Sequence, residues 1–296
     1  MDIGGTTGKS SAITNGRIEM RPEGNIFGIP VRTAMPILRS NALGGGSVAK
    51  ASGGQVTLGP ESMGAAPGPA CYGLGGNNAT LTDALVVLGV LSPTAFLNGR
   101  RVLDVDKARA AITRHVAEPL AVDVVEAARR VRATAVEMMA TLARDTAAEA
   151  GWKNHKGVEL FAYGGNGPLF GTAVAEALGV ERVHLFALGT VFSAFGSAIS
   201  DVLHVYECAI SGGAANVRDA GLELLAQARR DLAGEGFDAA AARYEWTLEN
   251  AARKQVSGRG TSAAALDKLA ARLPDASLLK LDARFALGEV ALPEYP

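Results

Sequence analysis

Hydrophobic positions recur at helical spacing through the middle of the chain. Val124, Ala128, Val131, Ala135, Met138 and Leu142 lie three or four residues apart, while Glu126, Arg129, Arg130, Glu137 and Arg144 occupy the opposite face. That stripe predicts an amphipathic helix on a core, capped by Asp123 and running through Glu149, with the Met138-Met139 pair as core filling. A shorter helix is predicted from Asp104 or Asp106 to about His115, and another near Thr82-Asp83, where either residue can cap the apolar run Ala84 to Leu91. A β-turn-α-β unit follows: a strand from Glu159 to Tyr163, a glycine turn from Gly164 to Pro168, a helix from about Leu169 to Leu178 closed by Gly179, and a strand from Val183 to Phe186. Val191 to Asp201, mostly small residues, reads as a helix end packed close to backbone.

Beyond Tyr206 the pattern changes to a charged, Ala-rich helix from about Asp219 to Leu232, a strand from Tyr244 to Leu248, a Gly/Ser-bearing connection, and a helix around Ala263 to Arg272. A boundary is therefore expected near 206, dividing 1–205 from 206–296. At the start, short runs on either side of Asn15-Gly16 read as a β-hairpin. Only three residues precede Gly4, so the first strand looks cut short, and either another chain supplies the rest or the sequence was cut there. Between Gly44 and Gly89 the periodicity fails amid Gly and Pro. A strand at Gln55 to Leu58 is expected there, and a loop of such length is rare unless functional.

Composition narrows the function classes. Of 296 residues 48% are hydrophobic and 20% charged, as in soluble globular proteins. Lys and Arg number 29 against 30 Asp and Glu, so the chain carries no electrostatic footprint for nucleic acid or an anionic membrane. With no apolar run of about 18 residues and no secretory signal, a cytoplasmic location is expected. Cys71 and Cys208 read as buried, reduced thiols. His115, His155, His184 and His204 lack zinc-ligand spacing and read as surface or satisfied core residues. Gly8-Lys9-Ser10 is not a P-loop, because the required earlier glycine is Ile3.

The remaining chemistry lies in the glycine clusters. Gly44 to Ser47 is either a tight turn or a nest of N–H groups for a ligand, and Asp2 either a strand-end carboxylate or a metal or nucleotide contact. Glu61 and Asp83 are candidate polar anchors, Asp83 equally a helix cap. In order, the chain carries Asp2-Ile3-Gly4-Gly5-Thr6-Thr7, Gly44-Gly45-Gly46-Ser47, Gly59-Pro60-Glu61-Ser62-Met63-Gly64-Ala65, Pro67-Gly68-Pro69-Ala70-Cys71-Tyr72-Gly73, Thr82-Asp83-Ala84 and Gly164-Gly165-Asn166-Gly167-Pro168-Leu169. Ser193-Ala194-Phe195-Gly196 and Arg243-Tyr244 continue the series.

This ordered set resembles the hydantoinase A / 5-oxoprolinase / acetone (acetophenone) carboxylase family, specifically the second half of its ATP-binding subunit. The resemblance implies an α/β fold: the second domain of an actin-like ATPase (sugar kinase/heat-shock 70/actin superfamily) with a smaller C-terminal α/β region. It implies ATP and Mg²⁺ as cofactors. Asp2 would help to hold Mg²⁺ and serve catalysis, while Gly4, Gly5, Thr6, Thr7, Lys9, Gly45, Gly46, Gly164, Gly165 and Asn166 would bind nucleotide. Asp2 to Thr7 resembles the second-domain phosphate hairpin and Gly164 to Gly167 the adenosine turn. The first-domain hairpin is missing.

Implied partners are a subunit carrying the missing first half, a hydantoinase B-like subunit and a small carbonyl substrate, either a ketone to be carboxylated or a cyclic amide to be hydrolysed. Two positions depart from the family pattern: Lys9 stands where an Asp is usual, and Phe170 where a His is common. They motivate the contrasting expectation of a structural or regulatory relative with a decayed nucleotide site.

Overall fold

The computed structural model describes residues 1–21, 23–26, 28–31, 34–211 and 213–288. The chain is mixed α/β and divides into two compact units, Met1–Ser193 and Ala194–Pro296. The division falls earlier than the expected 206 because a strand at Val202–Ala209 pairs along its whole length within the second unit.

In the first unit, β1 (Asp2–Ile3) pairs antiparallel with β2 (Gly8–Ser11), which pairs with β9 (Leu38–Asn41). Between β2 and β9 lie three small hairpin pairings. The first joins β3 (Ile13–Thr14) to β4 (Arg17–Ile18) through Asn15 and Gly16, both at positive φ, as the Asn-Gly signal predicts. The others pair β5 (Met20–Arg21) with β8 (Met35–Pro36) and β6 (Gly24–Ile26) with β7 (Ile29–Val31). A longer hairpin follows, β10 (Ser47–Ser52) and β11 (Gln55–Ser62), turning at Gly53-Gly54.

Helix α1 (Leu81–Val87) is capped by Thr80, two residues before Thr82, the nearer of the two caps expected from the sequence, with Asp83 completing the capping box. Helix α2 (Val105–Ile112), capped by Asp104, continues through a π-helical turn into α3 (Glu118–Leu120), beyond the predicted end at His115. Helix α4 (Val124–Glu149) starts at the Asp123 cap as predicted, and Met139 of its methionine pair is fully buried. The β-turn-α-β unit forms as expected: β12 (Glu159–Ala162), α5 (Gly167–Leu178) ended by left-handed Gly179, and β13 (Arg182–Leu185) parallel to β12. A parallel bridge between Asp2 and Tyr163 joins the two sheets, giving the order β9-β2-β1-β12-β13. Ile3, Leu43, Leu81, Leu85, Ile112, Val131, Met139, Phe170 and Val174 form the core beneath it. Burying each such side chain contributes roughly 1.5–3 kcal/mol.

Helix α6 (Phe192–Ile199) follows. The second unit is a four-stranded antiparallel sheet ordered β14 (Val202–Ala209), β17 (Ala276–Phe285), β15 (Arg243–Asn250), β16 (Gln255–Arg259). Its helices α7 (Val217–Gly234) and α8 (Ala263–Ala270) cover Trp246, Leu248, Leu279 and Leu281. The expected Gly/Ser connection after Leu248 is instead the edge strand β16, where Gly258 leaves room for Leu269.

Candidate functional site

Two residues of β1 bring together glycine segments far apart in sequence. Beyond Ile3 the chain turns through Gly4 to Thr7, with the Gly4 N–H donating to Thr7 O at 3.1 Å. The buried run Gly44 to Gly46 packs directly on this turn, and a Cβ on Gly44 would lie 2.4 Å from both Gly5 C and Thr6 N. Only glycine allows that approach of two backbones. The N–H groups of Gly45 and Gly46 donate to Gly4 O at 3.2 Å and Gly5 O at 2.7 Å. From the other side Asn166 donates Nδ2 to Gly4 O at 2.7 Å and its own N–H to Ile3 O at 2.8 Å. Thr82, at the start of α1, donates both N–H and Oγ1 to Gly45 O at 2.8 Å.

The tip remains open. Gly5 and Thr6 are exposed, and the N–H groups of Gly5, Thr6 and Thr7 have no acceptor among the described residues. Successive free N–H groups on a tight turn form a concavity suited to an anion. Gly165 is likewise exposed, and its N–H too has no acceptor among the described residues. Its neighbour Gly164 is buried at φ +84°, where a Cβ would meet Asp2 Oδ1 at 2.4 Å and Ile3 O at 2.6 Å.

The Asp2 carboxylate takes Ser193 Oγ–H on Oδ2 at 3.0 Å, and Oδ1 has no donor among the described residues. Lys9 is its direct partner across the antiparallel register, so ammonium and carboxylate share one face, with Lys9 exposed. Among the described residues no group of three or more His, Cys, Asp or Glu comes together. A magnesium ion held by one carboxylate plus ligand phosphates needs no such cage, and the open Asp2 Oδ1 beside the free N–H groups fits that type of site.

Thus Asp2, Gly4, Gly5, Thr6, Thr7, Gly45, Gly46, Gly164, Gly165 and Asn166 converge, with Lys9 alongside. Ser193 and Thr82, which the sequence flagged only within longer motifs, join them. Phe170 points away and is fully buried in the core. The histidines are engaged elsewhere: His115 with Asn77 O, His155 with Leu178 O, His184 with Glu159, and His204 with Tyr206 and Glu235. Glu61 is an exposed partner of Lys50.

Asp83 is wholly buried and accepts the N–H groups of Ala70, Cys71 and Thr80 and the Thr80 hydroxyl. Burial pushes its carboxyl up, against those donors. Burial, then the Asp83 charge, drives the Cys71 thiol far above its ordinary range. Since the thiolate is the reactive form, Ellman's reagent should label half-buried Cys208 at least about 100-fold faster than Cys71 in the native chain. Equal rates would place Cys71 in an accessible site.

The family model described as Hydantoinase/oxoprolinase matches residues 1–206. Over 212 residues the chain is 37% identical to the acetophenone carboxylase gamma subunit of Aromatoleum aromaticum, covering 70% of this chain and 28% of that protein. The nucleotide-free structure of acetone carboxylase, from work on ATP-dependent acetone carboxylation, superposes with a TM-score of 0.79 at 23% identity, over 100% of this chain and 47% of that one. The ATP-dependent caprolactamase of Pseudomonas jessenii gives 0.64 at 24%, over 100% and 48%. The chain therefore spans less than half the length of each. Among the described residues, no helix is long and apolar enough to cross a membrane.

Proposed function

The chain belongs to the hydantoinase/oxoprolinase family, and from that premise we propose that it forms the phosphate-binding side of an ATP-dependent enzyme that activates a carbonyl compound. The fold class in this reading is the second domain of an actin-like ATPase. Its observation is the convergence of the Gly4–Thr7 turn, with its open N–H groups, on the Asp2 carboxylate and the exposed Gly165 N–H.

The residues divide the work. The N–H groups of Gly5, Thr6 and Thr7 and the two threonine hydroxyls face phosphate oxygens, Asp2 holds Mg²⁺ directly or through water, and the Gly164–Asn166 turn meets the adenosine. Gly45 and Gly46 have their N–H groups committed to the turn and act by holding it in shape. Phosphoryl transfer depends on positioning and charge neutralisation, which backbone donors and a metal supply. The substrate is a ketone to be carboxylated or a cyclic amide to be hydrolysed, and the relatives named as carboxylase and lactamase support both. The first half of the ATPase domain and a hydantoinase B-like subunit complete the enzyme.

The position of Lys9 favours a second reading, a non-catalytic relative, because its ammonium stands across from the carboxylate meant for a metal. Calorimetry with Mg-ATP separates the two. The native chain is expected to bind, and Asp2→Asn to weaken binding about tenfold, a change of about 1.4 kcal/mol. Binding gained only in Lys9→Asp would instead identify a decayed site.

A further inference from the structure

The motif Arg243-Tyr244 has no part in the nucleotide turn and lies in the second unit, at the start of β15. Tyr244, Trp246, Leu281 and Ala283 are buried in the core under the helices, so the alternate positions Arg243, Glu245, Asp282 and Arg284 point to the other face of the sheet. Arg259 of β16 shares that face as the register partner of Glu245. At one end of it is a cavity of about 460 Å³, lined in part by the three arginines with Glu245, Asp282 and Thr261. Arg243 and Arg284 are direct partners across the antiparallel register, which sets their Cα atoms about 5 Å apart. Like charges so placed repel.

Two of the guanidiniums have a counter-ion. Arg284 Nη1 meets Asp201 Oδ2 at 3.2 Å and Arg259 Nε meets Glu245 Oε1 at 3.5 Å, both in solvent-exposed pairs that hold weakly. Arg243 is exposed and has no ion pair or hydrogen bond among the described residues. The lining therefore carries three guanidiniums against two carboxylates, and the outer partners Lys280 of Asp282 and Asp201 of Arg284 cancel each other, leaving one positive charge unbalanced. The Thr261 N–H and hydroxyl also have no partner among the described residues, while Trp246 Nε1, donating to Gly260 O at 2.7 Å, fixes the chain beside them. We propose that this cavity binds the carboxylate of a small organic acid, with Arg243 as its anchor. A guanidinium fork matches the two oxygens of a carboxylate, and a single negative charge balances the surplus, which a phosphate dianion would exceed. Arg284 and the Thr261 donors complete the contacts. A carboxylated ketone and an opened cyclic amide are both carboxylates, so the ligand class includes either product of the proposed reaction. That assignment rests on the proposed function, whereas the site rests on this sheet alone.

The test titrates the full chain with sodium acetate at fixed ionic strength and without nucleotide, following the backbone amide signals of Arg243, Thr261 and Arg284. These should shift and saturate. Arg243→Gln should raise the acetate Kd at least about tenfold, and Arg243→Lys, which keeps the charge but not the fork, at least about threefold. Arg230→Gln makes the same charge loss on α7, which packs on the other face, and should leave the Kd within about twofold. Shifts that never saturate, equal losses from Arg243→Gln and Arg230→Gln, native affinity in Arg243→Lys, or tighter saturation by inorganic phosphate than by acetate would each overturn the proposal. A chain that binds acetate in this way but not Mg-ATP would keep the site and lose the product assignment.

Discussion

Gly164→Ala should lower the stability of the first unit by about 3 kcal/mol, because it combines a left-handed backbone with a Cβ that has no room. At φ +84° an L-residue is strained, and the new methyl would fall 2.4 Å from Asp2 Oδ1 and 2.6 Å from Ile3 O, so β1 itself must shift. For a unit of this size the loss corresponds to a drop of roughly 10 °C in thermal midpoint. Gly165→Ala is the internal control. It has no atom within 4 Å of its added Cβ and no positive φ, and should stay within about 0.5 kcal/mol of the parent. If the two variants melt alike, the packing of the turn against β1 is not as described. Because Asp2 moves with β1, Gly164→Ala should also abolish Mg-ATP binding where Gly165→Ala retains it.

Asp83→Ala should be at least as damaging to stability, by about 4 kcal/mol, since it strands three buried N–H groups and a hydroxyl at once. Shape alone does not rescue the site. Asp83→Asn keeps an oxygen for Cys71 N–H but turns an amide N–H₂ toward Ala70 and Thr80, which also donate, so it should recover less than half of the loss. Urea denaturation with an unchanged m-value would measure both costs. An Asn variant within about 0.5 kcal/mol of the parent would show that Asp83 is protonated in the native state and already donates one bond.

These positions differ in how openly the sequence declares them. Helix α4 is legible because cap, stripe and length agree at Asp123, Val131 and Glu149. The β12-α5-β13 unit is legible because its glycines bound each element. Strand β17 carries a period-two signal, with Leu279, Leu281 and Ala283 inward and Lys280, Asp282 and Arg284 outward, yet its charged half imitates a solvated loop. Edge strand β16 is polar enough to read as a connection.

For the site, the resemblance supplied the residues, but local pattern carries no information that Asp2 pairs with Tyr163 across 161 positions or that Ser193 reaches Asp2. It also could not show that Gly45 and Gly46 spend their N–H groups inside the protein. The sequence difference at Phe170 resolves simply, as a core ring.

The carbonyls of Gly4 and Gly5 are gripped by Gly45, Gly46 and Asn166, although the loop tip between them is open to water. An exposed glycine turn is ordinarily the most disordered part of a domain, and a ligand that fixes it loses affinity to the ordering. Here the ordering is completed during folding. A ligand that meets the tip displaces water from donors already in position, so its association should carry little conformational entropy penalty and show a mainly enthalpic signature.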